Sequence, residues 1–170
     1  MTSKKYLQGF TLIEVLVVIV IISIILGLAV ININPSSPTE KLQTEAARLA
    51  RLIELAGEEA VLSSQHIGIQ LSDNGYRFMV YRDNDWKELE DKFLKSYHLP
   101  EEIEFTLLME EVKIDTGDDN KNKERPNILA FSNGELTPFE ITLRSQQHEA
   151  SVILSGNALG TLTLETKLGL

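Results

Sequence analysis

The chain contains no cysteine among its 170 residues. That excludes a disulfide framework, a thiolate metal site and a thiol nucleophile, and it leaves the compartment open. Positive charge is also scarce: 16 Lys and Arg stand against 25 Asp and Glu, a formal net charge of -9. Nucleic acid is therefore not an expected partner, because phosphate binding needs a basic stripe. Histidine is rare, and His66, His98 and His148 are far apart without metal-ligand spacing. No G-x-S-x-G elbow, P-loop or G-x-G-x-x-G occurs. Asp115, Asp118 and Asp119 lack the register and the distal Glu of a calcium loop. Lys121, Lys123 and Arg125 follow at once, which reads as a solvated mixed-charge loop. No metal, cofactor or catalytic residue is expected, and a tethered enzyme would need a catalytic set that is not visible.

What the chain does hold is unevenly distributed. Residues 15–31 carry no charge, whereas Lys4 and Lys5 stand just ahead of the apolar run. No further Lys or Arg occurs between Tyr6 and Pro38, so the positive-inside rule keeps the N-terminus cytoplasmic and sends the rest across. The apolar run to Ile33 approaches the roughly 20 residues that span a bilayer as a helix. A cleavable secretory signal would have a shorter core and a small-residue cleavage site beyond it. A plain single-pass anchor leaves Glu14 unexplained, since an ionisable residue at the edge of a span calls for a partner.

Gly9-Phe10-Thr11-Leu12-Ile13-Glu14 after a short basic leader, followed by an apolar helix, resembles the processing signal of type IV pilins and pseudopilins. The resemblance implies that a prepilin peptidase cuts after Gly9 and methylates the new N-terminus at Phe10. Residues 1–9 would be lost as a leader, taking Lys4 and Lys5 with them and changing the formal charge from -9 to -11. Residues 10–33 would form the transmembrane helix. Within a fibre, the Glu14 carboxylate could pair with the N-terminal amine of a neighbouring subunit, neutralising a charge that lipid penalises and fixing axial register.

Asn32, Asn34, Pro35 and Pro38 interrupt the apolar pattern, and a kink is expected there. Thr39 reads as the cap of a new amphipathic helix over residues 39–64, with Glu40 in its first turn. Leu42, Ala46, Leu49, Ile53, Ala56 and Ala60 recur at steps of four and three, a helical stripe. Such a stripe suits either a coiled coil or a helix laid on its own sheet. Its short length favours the sheet.

Beyond Ser64 the period becomes two. Residues 66–71 and 76–81 alternate around Asp73-Asn74-Gly75, a hairpin signal. Residues 87–97 suit a short helix or loop with Leu89, Phe93 and Leu94 inward. Further strands are expected over 103–112, 127–132 and 138–143, and a last hairpin over 150–154 and 161–164 around Ser155-Gly156-Asn157. Residues 116–126 read as a surface loop. The expected fold is α+β: a long N-terminal helix, transmembrane half then amphipathic half, packed on an antiparallel β domain (65–170) of six or seven strands, in one sheet or two small ones.

Phe131-Ser132-Asn133-Gly134-Glu135-Leu136-Thr137-Pro138-Phe139 resembles a region of the H-type minor pseudopilins of type II secretion. Gly134, Glu135, Thr137, Pro138 and Phe139 carry that likeness; Asn133-Gly134 also makes a natural turn, and Pro138 suits a strand edge. The resemblance implies a structural subunit near the tip of a periplasmic pseudopilus that exports folded proteins. Subunits at the very tip of such fibres often lack the acid found here as Glu14, which implies a place just beneath it. Implied partners are the prepilin peptidase, other minor pseudopilins of the tip complex, the major pseudopilin and the inner membrane, with the C-terminal domain in the periplasm. A minor pilin of type IV pili shares the N-terminal physics and stands as the alternative.

Overall fold

The computed structural model describes residues 11–30, 37–73, 75–114, 116, 125–146 and 148–167, the side chains of 25–30 and 148 excepted. The chain divides into two units, residues 1–36 and 37–170.

The first unit holds helix α1, Leu12–Val30. Its described apolar side chains are exposed around the whole circumference. With side chains described only to residue 24, no helix of the described residues is long and apolar enough to cross a membrane.

The second unit opens with helix α2, Pro38–Ser63. Its cap is Ser37 rather than the expected Thr39. The Ser37 hydroxyl accepts the Glu40 N–H at 3.2 Å, and the Glu40 carboxylate accepts the Ser37 N–H at 2.9 Å. This reciprocal box satisfies two of the helix's orphan donors. Pro38 sits at the first helical position, where its missing N–H costs nothing. The helix ends at Ser64 in the left-handed region.

Among the described residues ten strands follow, more than the six or seven expected. One sheet runs β3 (Asp85–Glu88), β2 (Gly75–Arg82), β1 (Ile67–Ser72), β7 (Ile128–Ala130), with β4 (Tyr97–His98) also pairing β2. The other runs β10 (Leu162–Lys167), β9 (His148–Gly156), β8 (Phe139–Ser145), β5 (Ile103–Met109), β6 (Val112–Ile114). All pairings are antiparallel.

The surplus has identifiable causes. The expected strand over 103–112 folds back at Glu110 and Glu111, at φ of 49° and 64°. Successive positive φ values suit a hairpin turn, although neither residue advertises one. Residues 87–97 are not a helix; Trp86 sits in β3, and Tyr97 and His98 form β4. Leu94 is buried there as expected, but Phe93 is 65% exposed rather than inward. The last hairpin turns at residues 157–161, with Gly156 still inside β9.

Helix α2 contacts β8, β9 and β10 of one sheet and β1 and β7 of the other. The stripe from Leu42 to Ala60 is its buried face, widened by Ala50. It meets Ile67, Ile69, Phe78, Leu107, Ile141, Leu143 and Leu154 in one core. Each large aliphatic buried there contributes about 1.5–3 kcal/mol, so packing on the sheets rather than helix propensity holds α2.

Candidate assembly site

Gly9 and Phe10 lie outside the described residues. Glu14 stands in the first turn of α1, where its N–H bonds the Thr11 carbonyl at 3.1 Å and the Thr11 hydroxyl at 3.3 Å. A carboxylate is favoured at that end by the helix dipole. Glu14 is the one ionisable side chain among the described residues of α1.

The segment from Phe131 to Phe139 is the crossover from one sheet to the other, between the end of β7 and the start of β8. The Gly134 N–H bonds the Phe131 carbonyl at 3.0 Å, and the Phe131 N–H returns to the Glu135 carbonyl at 2.8 Å. Gly134 lies at φ 89°, a conformation that glycine adopts without strain. Asn133 tightens the turn through its side-chain oxygen, 3.1 Å from the Glu135 N–H. Thr137 clasps the backbone of Leu129: its N–H donates to the Leu129 carbonyl at 2.9 Å, and its hydroxyl accepts the Leu129 N–H at 3.2 Å. Pro138 is exposed where β8 begins, and Phe139 is buried opposite Gly156. His66 reaches the same turn; its Nδ1 accepts the Ser132 N–H at 3.2 Å, which leaves the proton of the neutral ring on Nε2. His98 is an exposed residue of β4, away from this turn.

The crossover also bonds the β9–β10 turn, through the Leu136 N–H and the Ala158 carbonyl at 3.1 Å. Together with the last turns of α2 they form an open apolar groove of about 540 Å³. Leu62 and Leu159 project into solvent on its walls, 80% and 84% exposed, and Glu54, Glu58 and Glu135 rim it. Two exposed leucines on one groove give it an exposed apolar patch. Among the described residues no group of three His, Asp or Glu side chains gathers to hold a metal, and Asp115, Asp118 and Asp119 lie outside the described residues. Reasoning from sequence did not single out Leu62 or Leu159. An exposed leucine carries no local signal; only the meeting of two distant turns makes it part of a surface.

Solved chains of the same architecture include the minor pseudopilin EpsH of the Vibrio cholerae type 2 secretion system, at TM-score 0.65 and 21% identity, over 76% of this chain and 98% of that one. The solution structure of Escherichia coli GspH matches at TM-score 0.56 and 24% identity, over 79% and 94%. The fold is thus that of these chains, a helix laid on antiparallel sheets. Residues 4–30 match the prokaryotic N-terminal methylation motif, and residues 45–160 match the type II transport protein GspH family. Type II secretion system protein H of Pseudomonas aeruginosa is 34% identical, over 86% of this chain and 88% of that protein. Its Aeromonas hydrophila counterpart is 30% identical, over 84% and 83%. The chain belongs to the GspH family of type II transport proteins, the H-type pseudopilins, and the pilus alternative is not favoured by these matches.

Proposed function

We propose that this chain is a minor pseudopilin anchored in the inner membrane, placed just beneath the tip of a periplasmic pseudopilus that drives folded proteins across the outer membrane. The observation that carries this reading is a single carboxylate, Glu14, opening a helix that carries no other charge and whose one other polar side chain, Ser23, is bonded back to the Ile19 carbonyl, in a chain of the GspH family. An all-round apolar helix suits lipid or the centre of a bundle. One acid at its start suits pairing with a neighbour's terminal amine. The leader 1–9 is removed by a prepilin peptidase, and residues 10–33 span the membrane. The helix of 39–64 and the β domain of 65–170 stand in the periplasm. Partners are the other minor pseudopilins of the tip and the major pseudopilin, and the role is structural rather than enzymatic.

A clean deletion tests this, scored in parallel for secreted hydrolase in the medium and for surface pili with twitching. Exoproteins held in the periplasm with pili intact is the expected result. Normal secretion with failed pili or DNA uptake would instead assign the chain to type IV pili.

A further inference from the structure

A second groove, of about 670 Å³, lies between the outer face of α2 and the turn that precedes β4. Its apolar floor includes Ala47, Leu52 and Phe93; Arg48, Arg51 and Lys95 stand around it, and no acid lines it. In a chain with nine more acids than bases this is an unusual concentration of positive charge. Its parts are held in place. The Arg48 guanidinium lies 3.5 Å above the centre of the Tyr97 ring, and the Tyr97 hydroxyl donates to Glu45 at 3.0 Å. Glu45 itself is 4.0 Å from Arg48. A guanidinium held over a ring face keeps N–H donors free for a carboxylate.

Phe93 is held out by a fixed turn. The Asp91 carboxylate accepts the N–H groups of Phe93 at 2.7 Å and Leu94 at 2.9 Å, and Leu94 is buried as the anchor. A large apolar side chain kept exposed on a rigid turn, beside oriented cations, is the composition of a contact hot spot.

We propose that this groove docks an acidic segment of another protein subunit, its carboxylates meeting Arg48 and Arg51 and an apolar side chain resting on Phe93 and Leu52. Charge complementarity selects the occupant: Arg48 already shares Glu45, but Arg51 and Lys95 also line the groove and no acid does, which calls for carboxylates. Concavity favours a protein segment over the flat surface of a bilayer. A second copy, whose exposed Glu110-Glu111 turn is also acidic, is the competing occupant that the test separates. The inference does not depend on which assembly the chain serves.

The absence of native cysteine makes the test specific. Ser96, which lines the groove, is replaced (Ser96→Cys) in the full chain, in the membranes of the cells that make it. A short linker then joins the thiol to a carboxylate within reach, and the joined peptides are sequenced. The expected adduct is to an Asp or Glu of a different protein, weakened about tenfold by Arg48→Glu with Arg51→Glu, as the loss of charge-assisted hydrogen bonds requires. Arg51→Glu alone, outside the Glu45–Tyr97 contacts, should weaken it in the same direction. Adducts only between copies, only to anionic lipid, insensitive to charge reversal, or absent would each overturn the proposal.

Discussion

The Phe139 ring occupies the space where a side chain at Gly156 would lie. The two are cross-strand partners on β8 and β9, and a Cβ at Gly156 would fall 2.8 Å from the ring's Cζ. An aromatic ring laid over a strand glycine restores apolar contact that the glycine cannot make and closes the end of the ladder. Phe139 ends the crossover, and Gly156 adjoins the turn that bonds its Leu136. The pair therefore joins both turns of the apolar groove.

Gly156→Ala should displace that ring and destabilise the domain by about 1–3 kcal/mol, the usual cost of overpacking. Phe139→Ala should cost about 3–5 kcal/mol. Denaturant unfolding followed through Trp86, the one tryptophan, measures both. The double variant should cost less than the sum, because the clash needs both partners.

Tyr76 is buried, and its hydroxyl has no hydrogen-bond partner among the described residues. Tyr76→Phe should therefore be neutral or stabilise by about 1 kcal/mol, since an unmet polar group is removed and the ring stays. Burial also pushes the phenol from 10.0 up to about 12, despite Arg48 nearby. A folded-state value above the unfolded one leaves stability intact below pH 10. Between about pH 10 and 12 the unfolded chain loses its proton while the folded chain keeps it, and stability falls by about 2–3 kcal/mol. Urea midpoints across that window should drop in the natural chain, and the part of the drop due to this phenol should vanish in Tyr76→Phe.

Ser37→Ala removes one half of the capping box of α2 and should cost about 1 kcal/mol. Thr39→Ala, at the position that resembles a cap in the sequence, should cost less. Unfolding midpoints of the two variants decide between the caps.

At the N-terminus, a bulky replacement of Gly9 should block processing, and a mature mass still beginning at Phe10 would count against cleavage there. Glu14→Val or Glu14→Leu should leave cleavage and insertion intact but impair assembly. Normal incorporation of the variant into a fibre would overturn the pairing of Glu14 with a neighbour's amine.

Local periodicity made much of the architecture legible. The stripe from Leu42 to Ala60 is the buried face of α2, because a 3.6-residue repeat allows one face only. The β1–β2 hairpin closes at the Ser72–Gly75 pair, because alternation and a turn signal coincide there. Other features turn on particular contacts, some local and some between distant residues. Ser37 rather than Thr39 caps α2, since Glu40 closes a box with Ser37. Glu110 and Glu111 turn at positive φ without glycine, because β6 pairs back onto β5 while β8 holds the other edge. Phe93 stands exposed because Asp91 and buried Leu94 fix its turn. Sequence alone determined which faces are apolar and where the turns with a Gly or Asn signal fall. Tertiary structure decided which turns meet, since cross-strand and inter-sheet neighbours are set by pairing over long separations rather than by adjacent residues.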